Sequence, residues 1–363
     1  MAGTMKAVVF KGVKEVILED RPIPTIQDPK DIIVKVQYTA LCGSELHVFR
    51  GHQPSATGFI MGHEFTGSVH SVGSSVSTVA VGDTIVSPFT VSCGECFYCR
   101  EGFSSRCAQC LLFGTPLLDG GQAEYIRVPL ADSTVLKLPE GVRDPRLSVL
   151  MADILPTGYF AAERALNIPR AMGAVGSGPR DSTQDVVVLI GCGPVGLCAL
   201  IAASEHRPKA LLAVDGVQER LDKAKELGAE PWNYLTDGEG LEARVKELTD
   251  GRGADAVIEV VGHSSALDMG FKLLRPWGVI SSVGVHNGEI PWTGNQAYGK
   301  NLTVKMGRCP VRSIFPQALA LLEKRQDDLS FMVDTIMPLS KAVEGYKLFD
   351  EMKALKVIFD AEK

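Results

Sequence analysis

The stretch VVVLIGCGPVGLCALIAAS, residues 186–204, decides how the second half of this chain folds. Five apolar residues in a row, Val186 to Ile190, read as a strand buried on both faces, and the apolar run from Pro194 onward is long enough for a helix. Between them Gly191, Gly193 and Gly196 form G-x-G-x-x-G. The first glycine permits a tight turn, the second lets the backbone approach a pyrophosphate, and the third lets helix and strand pack closely. Free N–H groups and a partial positive charge at the helix N-terminus complete an anion site. The next apolar strand, ALLAVD, ends in Asp215, 19 residues after Gly196. A carboxylate there accepts from both ribose hydroxyls of NAD and repels the extra phosphate of NADP, so NAD is the expected cofactor. Arg220 lies nearby and is a basic group that could attract that phosphate.

Outward from this stretch the pattern alternates. QERLDKAKELGA is an amphipathic helix, and ADAVIEVVG, SALDMGFKLLRP and GVISSVG continue strand, helix, strand. That alternation predicts a doubly wound parallel sheet of the Rossmann kind. Upstream, TGYFAAERALNI reads as a helix, and 170–185 as a surface loop rich in Gly, Ser and Pro. The first 150 residues are different: short alternating segments such as DIIVKVQYTA and VGDTIVSP, separated by Gly and Pro, predict a β-rich, barrel-like domain. The last 60 residues hold one strand (NLTVKMG), two amphipathic helices and an end strand, LKVIFD.

The β-rich half carries Cys93, Cys96, Cys99 and Cys107, spaced C-x2-C-x2-C-x7-C. Four thiolates in so short a stretch close a tetrahedron around one soft divalent cation, and zinc fits best. A redox C-x-x-C pair would need a thioredoxin-like context, which is absent. Cys110 is a spare fifth thiol; Cys192 and Cys198 sit where packing is their expected role, and Cys309 has no assignment. Nine cysteines, an odd number in a long chain, argue for reduced thiols over a disulfide framework. A net charge of −6 without a basic block makes nucleic acid or an anionic membrane an unexpected partner. The N-terminal MAGTMKAVVFKG carries charge and no apolar core of signal-peptide length, and no apolar run spans a bilayer, so a cytoplasmic protein is expected.

Taken in order, YTALCGSELHVFRG, GFIMGHEFTGSV, CGECFYCREGFSSRC, LMADILPTGYFAAERA and VVVLIGCGPVGL resemble the zinc-dependent medium-chain alcohol dehydrogenases over nearly the whole chain. The resemblance implies a GroES-like catalytic domain over 1–157, a Rossmann domain over 158–300, and a C-terminal segment, 301–363, that returns to the catalytic domain. It places the catalytic zinc on Cys42, His63 and Asp153, as in the formaldehyde-dehydrogenase-like Cys-His-Asp branch, with Glu64 as a further metal-site residue. Three ligands leave the fourth place open for a substrate oxygen. The resemblance also assigns Ser44 and His47 to a proton relay, Thr157 to the nicotinamide end, Arg220 to the ribose, and Lys356 to the pyrophosphate; Gly43 stands where some members have arginine. It implies reversible hydride transfer between an alcohol and NAD, one catalytic and one structural zinc per chain, a small alcohol or carbonyl substrate, and a homodimer or homotetramer. Two other readings remain open from sequence: a biosynthetic reductase of the same fold acting on an activated C=C or iminium, and a non-catalytic NAD-binding protein. Phe49, Phe89, Leu112 and Phe113 are apolar candidates for the pocket wall.

Overall fold

The computed structural model describes residues 3–138, 141–168 and 181–363. The loop expected over 170–185 lies outside the described residues except for its end, where Ser182–Gln184 forms a 3-10 turn. The chain divides into two compact units, residues 1–156 with 310–363, and residues 157–309.

The first unit opens with the hairpin β1 (Thr4–Gly12) and β2 (Glu15–Pro22). Then come β3 (Ile32–Ala40), α1 (Gly43–Phe49), β4 (Glu64–Val72), β5 (Thr84–Ser87), the single turn α2 (Phe97–Arg100), β6 (Tyr125–Val128), the single turn α3 (Ala131–Thr134) and β7 (Leu136–Lys137). A 3-10 helix, Pro145–Ala152, leads into α4 (Ile154–Leu166), which carries the chain into the second unit.

That unit holds β8 (Val186–Ile190), α5 (Pro194–Ser204), β9 (Ala210–Asp215), α6 (Gln218–Glu226), β10 (Glu230–Asn233), α7 (Gly238–Leu248), β11 (Ala254–Glu259), α8 (Ser264–Leu273), β12 (Leu274–Ser282), α9 (Gly294–Lys300) and β13 (Thr303–Met306). Its six strands run in the order β10-β9-β8-β11-β12-β13, every pair parallel. All five residues of β8 are buried, as expected of a central strand covered on both faces. The order grows one way from β8 and the other way from β11, so a switch point lies between their carboxyl ends.

The chain returns to the first unit as α10 (Val311–Leu329), β14 (Ile336–Pro338), α11 (Ala342–Asp350) and β15 (Ile358–Asp360). The sheet there runs β14-β15-β3-β4-β5-β7, with β6 also on β3. Val34, Val36, Phe65, Ile85, Ile126 and Phe359 fill its core, each worth roughly 1.5–3 kcal/mol of burial.

One boundary expected from sequence moves. NLTVKMG was assigned to a returning segment that starts at 301, but β13 pairs in register with β12, Val279 opposite Thr303. It is the last strand of the parallel sheet, and the return starts near Pro310. An alternating tetrapeptide looks alike in either sheet; pairing alone distinguishes them. β10, α7 and α9 were not anticipated, although Leu241, Val245 and Leu248 recur at helical spacing in α7. Among the described residues no helix is long and apolar enough to cross a membrane.

Candidate metal and dinucleotide sites

Strand register builds the first site. In the β3–β4 ladder Ala40 lies opposite Glu64, so the chain leaving β3 toward Cys42 runs beside the chain that enters β4 through His63. Gly62 turns the backbone at φ +98°, and a Cβ there would fall 2.7 Å from the Gln122 amide nitrogen; only glycine allows the approach that aims His63. β5 follows β4 with Ser87 opposite Phe65, and beyond it Phe89 N donates to Ala152 O at 3.1 Å, which holds Asp153 beside the pair. On the other side of β3, β15 sets Ile358 opposite Ala40 and brings up Lys356.

The result is a cluster in which ligand atoms of Cys42, His63, Glu64 and Asp153 all lie within 4.8 Å of one another. Cys42 Sγ donates to Asp153 Oδ2 at 3.5 Å, and His63 Nε2 stands 3.2 Å from the same oxygen. Ser44 Oγ lies 3.3 Å from Cys42 Sγ and 3.5 Å from His63 Nε2. Burial, with Asp153 beside it, pushes the Cys42 thiol up. Burial also raises the Glu64 carboxyl, against the pull of Lys356. Burial opposes protonation of His63, yet Cys42 and Glu45 beside it hold the imidazole well above its usual range. The pocket is thus crowded with acids. Glu64 Oε1 is buried without a hydrogen-bond partner, a costly state in a polar pocket. One thiolate, one imidazole and two carboxylates are a donor set that suits zinc, and a divalent cation would satisfy the stranded oxygen and the surplus negative charge.

Glu64, expected as a further metal-site residue, joins the other three donors within one cluster. Lys356 lies behind Glu64. It is 2% exposed, donates to Leu41 O at 2.8 Å and pairs with Glu64 Oε2. β15 inserts beside β3 and buries its ammonium there.

Glu45 was not singled out from sequence. It caps α1 by accepting from Cys42 N at 2.9 Å, and its Oε1 stands 3.7 Å from His63 Nδ1. Behind it Gln122 Nε2 donates at 3.4 Å, and Tyr346 of α11 donates to Gln122 Oε1 at 2.8 Å. A carboxylate on the far imidazole nitrogen fixes the ring so that Nε2 faces the cluster. An acid three residues after the Cys42 cap is the local signal that would have found it. Of the wall candidates, Phe89 sits edge-on to His63 with 6.1 Å between ring centres. Phe49 and Phe113 are core residues packed on Tyr346 and Phe65. His47, half-buried on α1, is lowered by burial and by His52 and Arg50 nearby.

Cys93, Cys96, Cys99 and Cys107 form a second group within the same 4.8 Å limit. Backbone amides turn toward the sulfurs: Cys93 N and Gln109 N lie 3.2 and 3.3 Å from Cys107 Sγ, and Cys96 N lies 3.4 Å from Cys93 Sγ. Amides from Ala108 and Cys99 draw Cys96 down to about 6, while burial pushes Cys107 up to about 12. Cys93, Cys96, Cys99 and Cys107 are reduced, so no disulfide competes with a metal there.

In the second unit Gly191 has φ +96°, and a Cβ on Gly196 would lie 1.9 Å from Gly191 O. At Gly193, the N-cap of α5, a Cβ would meet only Arg220 Nη1, at 3.9 Å. That bare backbone above a helix N-terminus is the cradle a pyrophosphate fills. Asp215 accepts from Cys192 N at 2.7 Å through Oδ2, and from Gly216 N and Val217 N through Oδ1. Three of its roughly four acceptor positions are therefore used, leaving capacity on Oδ2. Arg220 Nη1 is 3.8 Å from that oxygen. Thr157 is buried on the first turn of α4, and the next residue, Gly158, packs against Cys198 and Ala199 of α5.

Comparison with known proteins agrees with this architecture. Residues 28–140 match the alcohol dehydrogenase GroES-like domain, and residues 194–324 match the zinc-binding dehydrogenase domain. A zinc-type alcohol dehydrogenase B of Aspergillus flavus is 64% identical over 98% of this chain and 81% of its own. A zinc-type alcohol dehydrogenase-like protein, AdhB, of Bacillus subtilis is 34% identical over 95% of this chain and 97% of its own. Among solved structures, alcohol dehydrogenase TADH from Thermus sp. ATN1 superposes with a TM-score of 0.88 at 35% identity, covering 98% of this chain and 99% of that one.

Proposed function

The chain belongs to the zinc-binding alcohol dehydrogenase family, and from that premise we infer how its own residues divide the work of reversible hydride transfer between an alcohol and NAD. Cys42, His63 and Asp153 would hold the catalytic zinc, with Glu64 as a further donor beside them. Zinc supplies Lewis-acid polarisation of the substrate oxygen, and the nicotinamide supplies the hydride acceptor. Ser44 lies against two ligand atoms, where its hydroxyl can accept the proton of a bound alcohol. His47, held below its usual value, is neutral near pH 7 and able to take a proton onward to water. Lys356 keeps Glu64 tethered from behind. Cys93, Cys96, Cys99 and Cys107 hold a structural zinc.

Gly191, Gly193 and Gly196 cradle the pyrophosphate of NAD, Asp215 and Arg220 border its adenosine ribose, and Thr157 serves the nicotinamide end. With Arg220 drawn to Asp215, the site has little free positive charge for a 2′-phosphate, which supports NAD over NADP. Reduced cysteines in both clusters suit a reducing, cytoplasmic compartment, checked by fractionation. β13 leaves one edge of the parallel sheet unpaired among the described residues, and Tyr298 beside it is 84% exposed. Both support a homodimer or homotetramer, which light scattering distinguishes.

The observation that carries this reading is the four-donor cluster with its stranded Glu64 oxygen. A panel of primary and secondary alcohols and their carbonyls, run with NAD(H) and NADP(H) beside metal analysis, tests it. Turnover with NAD, lost to a chelator and restored by zinc, is expected. Protein that carries two zincs per chain and binds NADH, yet turns over nothing in the panel, would contradict it.

A further inference from the structure

Glu259 ends β11, is fully buried, and has no part in the chemistry above. Every bond its carboxylate makes goes to the carboxyl edge of the parallel sheet. Oε1 accepts from the amides of Val261 and Gly262, each at 2.7 Å. Oε2 accepts from Ser282 Oγ at 2.6 Å and from His286 Nε2 at 3.0 Å. An ionised carboxylate only accepts, so His286 Nε2 carries the hydrogen. One side chain thereby ties the turn after β11 to the irregular segment after β12.

The glycines show the same closeness independently. A Cβ on Gly284 would fall 2.1 Å from Gly262 N, and one on Gly262, at φ +79°, would fall 2.5 Å from Val285 O. Further along, Ser264 Oγ at the start of α8 donates to Glu289 O at 2.6 Å. Residues 283–289 have no regular structure of their own, yet they are sewn to the 260–264 turn at both ends.

Topology says what this joined pair of loops faces. The switch point lies between β8 and β11, and Asp215 at the end of β9 marks the adenosine side. A dinucleotide laid across such a crevice puts its other half over the carboxyl ends of β11 and β12. We propose that Glu259, Ser282 and His286 are positioning residues for the nicotinamide half of the cofactor. They hold the segment after β12 in one arrangement before the cofactor arrives, so that its backbone groups need not be ordered on binding. Charge-assisted bonds to a buried carboxylate are strong enough for that task. This inference rests on the NAD reading above.

Binding titrations with NADH and with ADP-ribose, which has the pyrophosphate and both riboses but no nicotinamide, separate the two. In His286→Ala, NADH binding weakens about tenfold while ADP-ribose changes by less than about twofold. His286→Gln, whose amide can donate from nearly the same place, recovers most of the loss. Ser282→Ala gives a smaller loss of the same kind, and serves if His286→Ala does not fold. Equal weakening of both ligands, unchanged NADH binding, or no recovery in His286→Gln would overturn the proposal. Wild-type protein that bound neither ligand would overturn the NAD reading together with it.

Discussion

The two cysteine-bearing clusters of the first unit are built in opposite ways. The four thiols at Cys93, Cys96, Cys99 and Cys107 come from 15 consecutive residues, and their sulfurs are held by amides of the same loop. Cys42, His63, Glu64 and Asp153 come from three places that only the β3–β4–β5 register and the Phe89–Ala152 contact bring together. The first cluster is a local knot, all of one donor type and closed. The second is a product of tertiary structure, mixed in donors and crowded with acids. A local knot serves to fold its own loop; an assembled one can present a displaceable ligand and a proton path to a substrate.

Breaking each cluster should therefore break different things. His63→Ala is expected to lower kcat/KM by at least about a thousandfold while the melting temperature changes little, read by steady-state assay and calorimetry. Cys96→Ser should do the reverse in kind: a melting temperature lower by roughly 5–10 °C, with activity at low temperature lost only as far as the fold is lost. If His63→Ala and Cys96→Ser gave the same phenotype, the contrast would collapse. Tyr346→Phe sharpens it. Removing the hydroxyl that holds Gln122, and through it Glu45 and His63, should weaken catalytic zinc binding by about tenfold in competition with a chelator, and leave the structural zinc in place.

The smallest effect concerns the floor of the cysteine loop. Ser92 Oγ donates to Ser133 O of α3 at 2.6 Å, next to Cys93. Asp132, one residue earlier, caps the 77–78 turn. Burial pushes its carboxyl up, but the amides and hydroxyls of Thr78 and Ser77 prevail and hold it at about 2. A carboxyl depressed on folding stabilises the protein above its unfolded value, near 3.9, and loses that contribution as pH falls toward 2. Asp132→Asn should thus cost about 1 kcal/mol at pH 6, allowing for solvent screening at this partly exposed site, and progressively less as pH falls through about 2, in urea titrations across that range.

The difference between the clusters also explains what could be read in the chain. The cysteine knot and the glycine turn are local, so spacing alone revealed them. The parallel sheet followed from strand–helix alternation. Cys42, His63 and Asp153 came only through resemblance, since no local pattern links residues so far apart. The contact of Lys356 with Glu64 is not legible either, since sequence cannot say that β15 inserts beside β3. Glu45 was overlooked because a helix cap and a histidine partner look the same until the register brings His63 alongside. β13 was assigned to the wrong sheet for the same reason: register is not written in a four-residue strand.

The central claim, that Cys42, His63, Glu64 and Asp153 form a zinc site separate from the cysteine knot, is tested most directly by counting zinc per chain in Asp153→Ala/His63→Ala protein. The account predicts a fall from two zincs to one, with the remaining metal lost only when Cys96 is also replaced. Two zincs retained in the double variant would contradict it.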